Sequence, residues 1–113
     1  MYQLIITLSD IDYKEDLFLA MQSVGITSAS VVEAKNLHKS LESEFSLFTG
    51  FLQGDAAREG EQLVILCKVP SLEEPKELID NLKAAGIKVS RGDILTLSVV
   101  PLALSFDGEF SGE

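Results

Sequence analysis

The sequence predicts an α+β domain, a four-stranded antiparallel sheet with two helices on one face, spanning residues 1–113 as a single unit. Three observations lead there. A chain of 113 residues has the length of one domain. Apolar residues make up 46% of it, enough for a core and too many for disorder. Two segments also repeat one order of patterns, QLIITLSDIDYKEDLFLAMQSVGI at 3–26 and QLVILCKVPSLEEPKELIDNLKAAGI at 62–87. Each opens on Gln-Leu and a β-branched run, passes through an acidic turn and an amphipathic stretch, and ends Gly-Ile. An internal repeat of this kind marks a repeated supersecondary unit.

In chain order, Leu4-Ile5-Ile6-Thr7-Leu8 is strand-like by length and β-branching. Asp12-Tyr13-Lys14-Glu15 suits a helix start. Leu17, Ala20, Met21 and Val24 then recur at helical spacing, and Gly25 is a good left-handed stop. Residues 26–35, ITSASVVEAK, read as a second strand, and a long connection follows from 36 to 61. Leu63 to Cys67 is the third strand. For the second helix, Ser71 and Glu74 have capping-box spacing while Pro75 suits a first turn, and the two signals set the start a few residues apart. Leu78, Ile79, Leu82 and Ala85 form its apolar stripe and Gly86 ends it. Ile94 to Leu104 is the last strand, and 105–113 a tail. Right-handed crossovers leave a gap between the two strands of each half. Interleaving the halves fills both gaps, which is the ferredoxin-like βαββαβ arrangement.

Composition narrows the function. Eighteen acidic and nine basic residues give a net charge of −9, which repels phosphate backbones and makes nucleic acid an unsuitable partner. No apolar run approaches the roughly 20 residues of a membrane span. The opening MYQLIITLSD has neither a basic region nor a cleavage site, so a strand is expected there rather than a signal peptide. Cys67 is the sole cysteine, which excludes a disulfide within the chain and points to a reducing, cytoplasmic setting.

Two helices cover one face of a sheet, and the other face should then alternate with polar residues. Leu63-Val64-Ile65-Leu66-Cys67 is apolar on both faces, as is Leu4-Ile5-Ile6. Burying one aliphatic side chain contributes about 1.5–3 kcal/mol. Copies of the chain are therefore expected to cover one another in a closed ring. The connection itself carries Phe45, Leu47, Phe48, Phe51 and Leu52 in FSLFTGFLQGDAAREG. The favoured reading packs them at subunit borders or against a partner protein; the other folds them over the chain's own sheet.

Three stretches then resemble the nitrogen-regulatory PII-like superfamily of trimeric signalling proteins. GITSASVVEAKNLH at 25–38 is similar to that family's second strand running into its effector loop. The connection 36–61 lies where that loop lies. RGDILTLSVVPLALSFDGEFSGE matches the spacing of the family's phosphate-binding loop, last strand and tail, with Asp107-Gly108-Glu109 at the tail position. The resemblance implies a homotrimer with a ligand cleft between subunits, lined by Lys35, Asn36, His38, Lys88, Arg91, Gly92 and Asp93. It also implies a partner-binding loop tipped by Phe45, Phe48, Phe51 and Leu52. The departures are specific. Asp93 stands at the family's lysine position, Leu104 and Phe106 at its arginine positions, and the loop lacks its modifiable tyrosine. Phosphate needs cations or a nest of backbone amides. These residues therefore argue against ATP or ADP binding in the family's manner, and leave a different metabolite or ion, or no small ligand.

The expected function is regulatory: a small effector at the cleft switches the 36–61 loop between order and disorder, and the loop docks on a protein partner. One alternative is a CutA-like trimer binding divalent cations through acids and His38. Another is an interaction module without a small ligand. No metal ligands show tight spacing, and His38, Cys67, Glu33 and Asp93 would have to converge from afar. No enzyme is expected, because Cys67 lies in an apolar run without a neighbouring base. Glu73 and Glu74 suit a helix N-terminus better than acid–base work.

Overall fold

Aliphatic residues at alternate positions make residues 2–8 a strand with one fully apolar face. This strand, β1 (Tyr2–Leu8), lies inside a four-stranded antiparallel sheet of order β2-β3-β1-β4. The other strands of the sheet are β2 (Ser30–Lys35), β3 (Glu61–Val69) and β4 (Leu95–Pro101). Helices α1 (Lys14–Ser23), α2 (Leu37–Glu44) and α3 (Glu73–Ala84) accompany the sheet, giving a mixed α+β fold. A hairpin of β5 (Leu104–Phe106) and β6 (Phe110–Gly112) follows it. The structure, a computed structural model, describes residues 1–44 and 60–112.

The register explains the core. Leu4, Ile6 and Leu8 are shut from solvent at 0% exposure. They stand opposite Cys67, Ile65 and Leu63 on β3, and opposite Val99, Leu97 and Leu95 on β4. Leu17 and Met21 of α1 and Leu78 and Leu82 of α3 join the same cluster. Each such aliphatic side chain contributes about 1.5–3 kcal/mol on burial.

The opposite face carries Ile5, Val32, Val64, Leu66 and Val100 among Ser30, Thr7, Thr96 and Ser98. Ile5 and Val64 are half-buried, while Val32, Leu66 and Val100 are 47%, 37% and 46% exposed. Apolar residues on both faces of β3 were expected, and Val64 and Leu66 do lie outward there. Thr7, Thr96 and Ser98 dilute the apolar character across the rest of that face.

Several boundaries differ from the sequence reading. The second strand begins at Ser30 and not at Ile26. Gly25 adopts φ 86°, and the Ile26 N–H turns back to the Met21 carbonyl at 2.9 Å, so Ile26 ends α1 and enters the core instead of the sheet. The last strand stops at Pro101 rather than reaching Leu104. Beyond it the Leu102 N–H bonds the Met1 carbonyl at 3.0 Å, and 104–106 pairs with 110–112, so the expected tail forms a hairpin. The connection starting at 36 is helical over Leu37–Glu44. Of the two start signals for α3, the first-turn place of Pro75 holds, while the N-cap falls one residue beyond Ser71, at Leu72, which makes no side-chain cap. The helix begins at Glu73, whose N–H donates to Ser71 Oγ at 3.2 Å, and Ser71 also bonds the Glu74 carboxylate. Pro75 sits in the first turn, where a missing N–H costs nothing.

Leu78 is fully buried against the central strands, so Leu78→Ala should lower unfolding free energy by about 2–5 kcal/mol. Val100→Ser, at an exposed outer position, should cost far less. Urea denaturation of both variants at one protein concentration checks the contrast.

Candidate functional site

The expected cleft residues fall into two groups at one end of the sheet. Lys35 ends β2, with Asn36 and His38 just beyond it. Lys88, Arg91, Gly92 and Asp93 precede β4, forming a 3-10 turn over Val89–Arg91. Both groups flank the row Glu33, Leu63, Leu8 and Leu95, but β2 and β4 are the two edges of the sheet. Three inter-strand spacings separate them, about 14 Å. Within one chain the two groups do not meet.

Local contacts assign structural work to some of these residues. Asn36 Oδ1 accepts the Lys39 N–H at 3.0 Å and so caps α2, while its own N–H bonds the Gly60 carbonyl at 2.7 Å and ties together the two ends of the connection. Arg91 Nη2 pairs with Asp93 Oδ2 at 2.9 Å, so the turn's guanidinium is already engaged by its own carboxylate. Gly92 closes that turn at φ 75°, a left-handed conformation that suits glycine. Lys88 and His38 are exposed. Phe45, Phe48, Phe51 and Leu52 lie outside the described residues.

A concavity beside the first of these groups was not foreseen. A cavity of about 490 Å³ is lined by Ile11, Lys14, Glu33, Lys35, Glu61 and Leu63, together with Ala34 and Gln62. Lys35 is the one expected cleft residue in it. A signal was present in the sequence: positions 31, 33 and 35 share one strand face, and that face changes from Val31 to Glu33 and Lys35. Charges at core-facing strand positions mark the end of the sheet that the helices leave open.

A second unforeseen cluster anchors the hairpin. Alternation with buried Cys67 and Val69 turns Lys68 to the outer face. Its Nζ donates to Ser105 Oγ and to Asp107 Oδ1, each at 2.6 Å, and Ser105 Oγ donates to Asp107 Oδ2 at 3.1 Å. Ser105 is buried, whereas Leu104, Phe106 and Phe110 point outward at 57%, 61% and 70% exposure. The two phenyl rings pack tilted at 48° with their centroids 4.8 Å apart. A serine beside a lysine suggests a nucleophile and base. Here the lysine donates to both the serine and the carboxylate, and the serine donates to that same carboxylate, so the three groups are engaged with one another as a latch.

Cys67 is buried, and burial pushes its thiol above the ordinary 9.0, which disfavours a reactive thiolate. No three of His, Cys, Asp and Glu converge on a metal position among the described residues. No described helix is long and apolar enough to cross a membrane. No protein-family model matches the chain, and no curated protein matches it either.

The Lys68 and Ser105 hydrogen bonds hold the Asp107 carboxyl below its ordinary 3.8. The latch's contribution is therefore full above that value and is lost as pH falls through the lower folded one. An NMR pH titration should show the Phe106 and Phe110 signals shifting only in strongly acidic solution. In Asp107→Asn they should start near the released position and show no such transition.

Proposed function

We propose that this chain is a PII-like regulatory protein of ferredoxin-like topology, acting as a cytoplasmic homotrimer. It senses a small metabolite or ion between subunits and passes the signal to a protein partner through residues 36–61. The observation that carries the reading is the separation of the two candidate groups. Lys35, Asn36 and His38 occupy the β2 edge, and Lys88, Arg91, Gly92 and Asp93 the β4 side, at one end of the sheet. In a ring whose axis runs along the strands, the β4 edge of one copy faces the β2 edge of the next. That end of the sheet stays level, and the two groups then share one cleft.

Further features support this reading. In the order β2-β3-β1-β4, a strand of one half lies between the two strands of the other, which supports the proposed interleaving of the halves. The aliphatic outer face, with Val32, Leu66 and Val100 each more than a third exposed, is a surface that a second copy would cover favourably. The Arg91–Asp93 pair bears on the ligand. With Arg91 neutralised inside its own turn and the outer hairpin positions held by Leu104 and Phe106, the cleft lacks the cation density a triphosphate needs. An effector with little negative charge fits it better.

Light scattering on the eluting peak should give three times the mass of one chain. Leu66→Glu, on the outer face, should shift that mass to a single chain without loss of secondary structure by circular dichroism. A wild-type protein that stays a single chain at micromolar concentration would remove the shared cleft and this function with it.

A further inference from the structure

We propose that the cavity between the start of α1 and the end of the β2–β3 pair is a binding site for a small aliphatic zwitterion, an α-amino acid with an uncharged side chain. Its walls explain the choice. Glu33 and Lys35 alternate with Ala34 at the end of β2, and Glu61 stands directly opposite Lys35 on β3. Lys14, in the first turn of α1, supplies a second cation. The cavity thus has two ammonium and two carboxylate groups. Among the described residues none of the four makes an ion pair or a side-chain hydrogen bond, although oppositely charged neighbours are at hand.

Charge balance selects the ligand. A simple anion meets Glu33 and Glu61 as well as the repulsion of a chain carrying net −9. A simple cation leaves Lys14 and Lys35 without partners. A molecule with an ammonium and a carboxylate a few ångströms apart engages both pairs by charge-assisted hydrogen bonds. Ile11 and Leu63 add an apolar surface for an aliphatic side chain, and about 490 Å³ lies within the range of small-molecule pockets.

This site does not rest on the trimer: every lining residue belongs to one chain. It shares only Lys35 with the intersubunit cleft. The site also touches the last residues of β2 and the first of β3, the two strand ends that the Asn36–Gly60 hydrogen bond joins.

The test is an amide NMR titration of the full-length chain with L-leucine. Two controls each keep one charge, 3-methylbutylamine and 4-methylpentanoate. Saturable shifts are expected at residues 11–14, 33–35 and 61–63, with both controls at least about tenfold weaker. Glu33→Gln and Lys14→Met should each weaken leucine binding about tenfold or more while amides of the core strands keep their positions. Should Glu33→Gln disturb the fold, Glu61→Gln replaces it. Absence of localised shifts at tens of millimolar leucine overturns the proposal, as does equal binding of either control or unchanged affinity in these variants. A wild-type protein that is a single chain yet binds leucine would discard the assembly reading and keep this one.

Discussion

Everything in this fold hangs on β1. It is hydrogen-bonded along its whole length on both sides, to β3 and to β4, and Leu4, Ile6 and Leu8 on one of its faces are sealed from water. A strand's side chains alternate with a period of two, so filling one face with leucine and isoleucine sends Gln3, Ile5 and Thr7 to the other. A one-residue slip would exchange the two sets and place Gln3 and Thr7 beneath the helices. Pairing and burial thus enforce a single register, and β3 and β4 inherit it.

That register also dictates where polar chemistry can occur. Charged groups are driven to the rim of the core, and they collect at the end of the sheet holding Glu33, Lys35 and Glu61 and at the latch of Lys68, Ser105 and Asp107. The latch and the mixed-charge cavity lie on opposite faces and at opposite ends of β3, since Lys68 is near its last residue and Glu61 is its first. One strand therefore links a device that holds the C-terminal hairpin to a pocket beside the ends of the 36–60 connection.

Much of the architecture was readable from period and punctuation. The β-branched apolar runs LIITL and LVILC, the helical stripes ending at Gly25 and Gly86, and the repeat of the two halves all report local physics that the tertiary structure leaves intact. What escaped notice depended on contacts distant in sequence. Ile26 looks like a strand residue because it is β-branched, yet the reversed backbone after Gly25 claims it for the helix cap and the core. The helix at Leu37–Glu44 is short and polar, and its start rests on a single side chain, Asn36, that reads equally well as a loop residue. The hairpin after Pro101 depends on Lys68, more than 30 residues upstream, which no local pattern reveals. Among the candidate site residues, the resemblance to a known loop pointed to Arg91, Gly92 and Asp93 but could not show that Arg91 is spent on Asp93. The cavity was missed because its charges come from three separate segments.

The sheet's borders have a consequence for how far the molecule can assemble. Strands β2 and β4 run in opposite directions, and each has a strand neighbour on one side only among the described residues. Adding β4 of one molecule to β2 of another would continue the antiparallel ladder, and the product would offer the same two borders again, an open-ended ribbon. Charge and proline oppose that growth: Glu33 and Lys35 desymmetrise one border, and Pro101 interrupts the other with a position that has no N–H to give. Three side chains on two margins thus work against open-ended growth of the sheet.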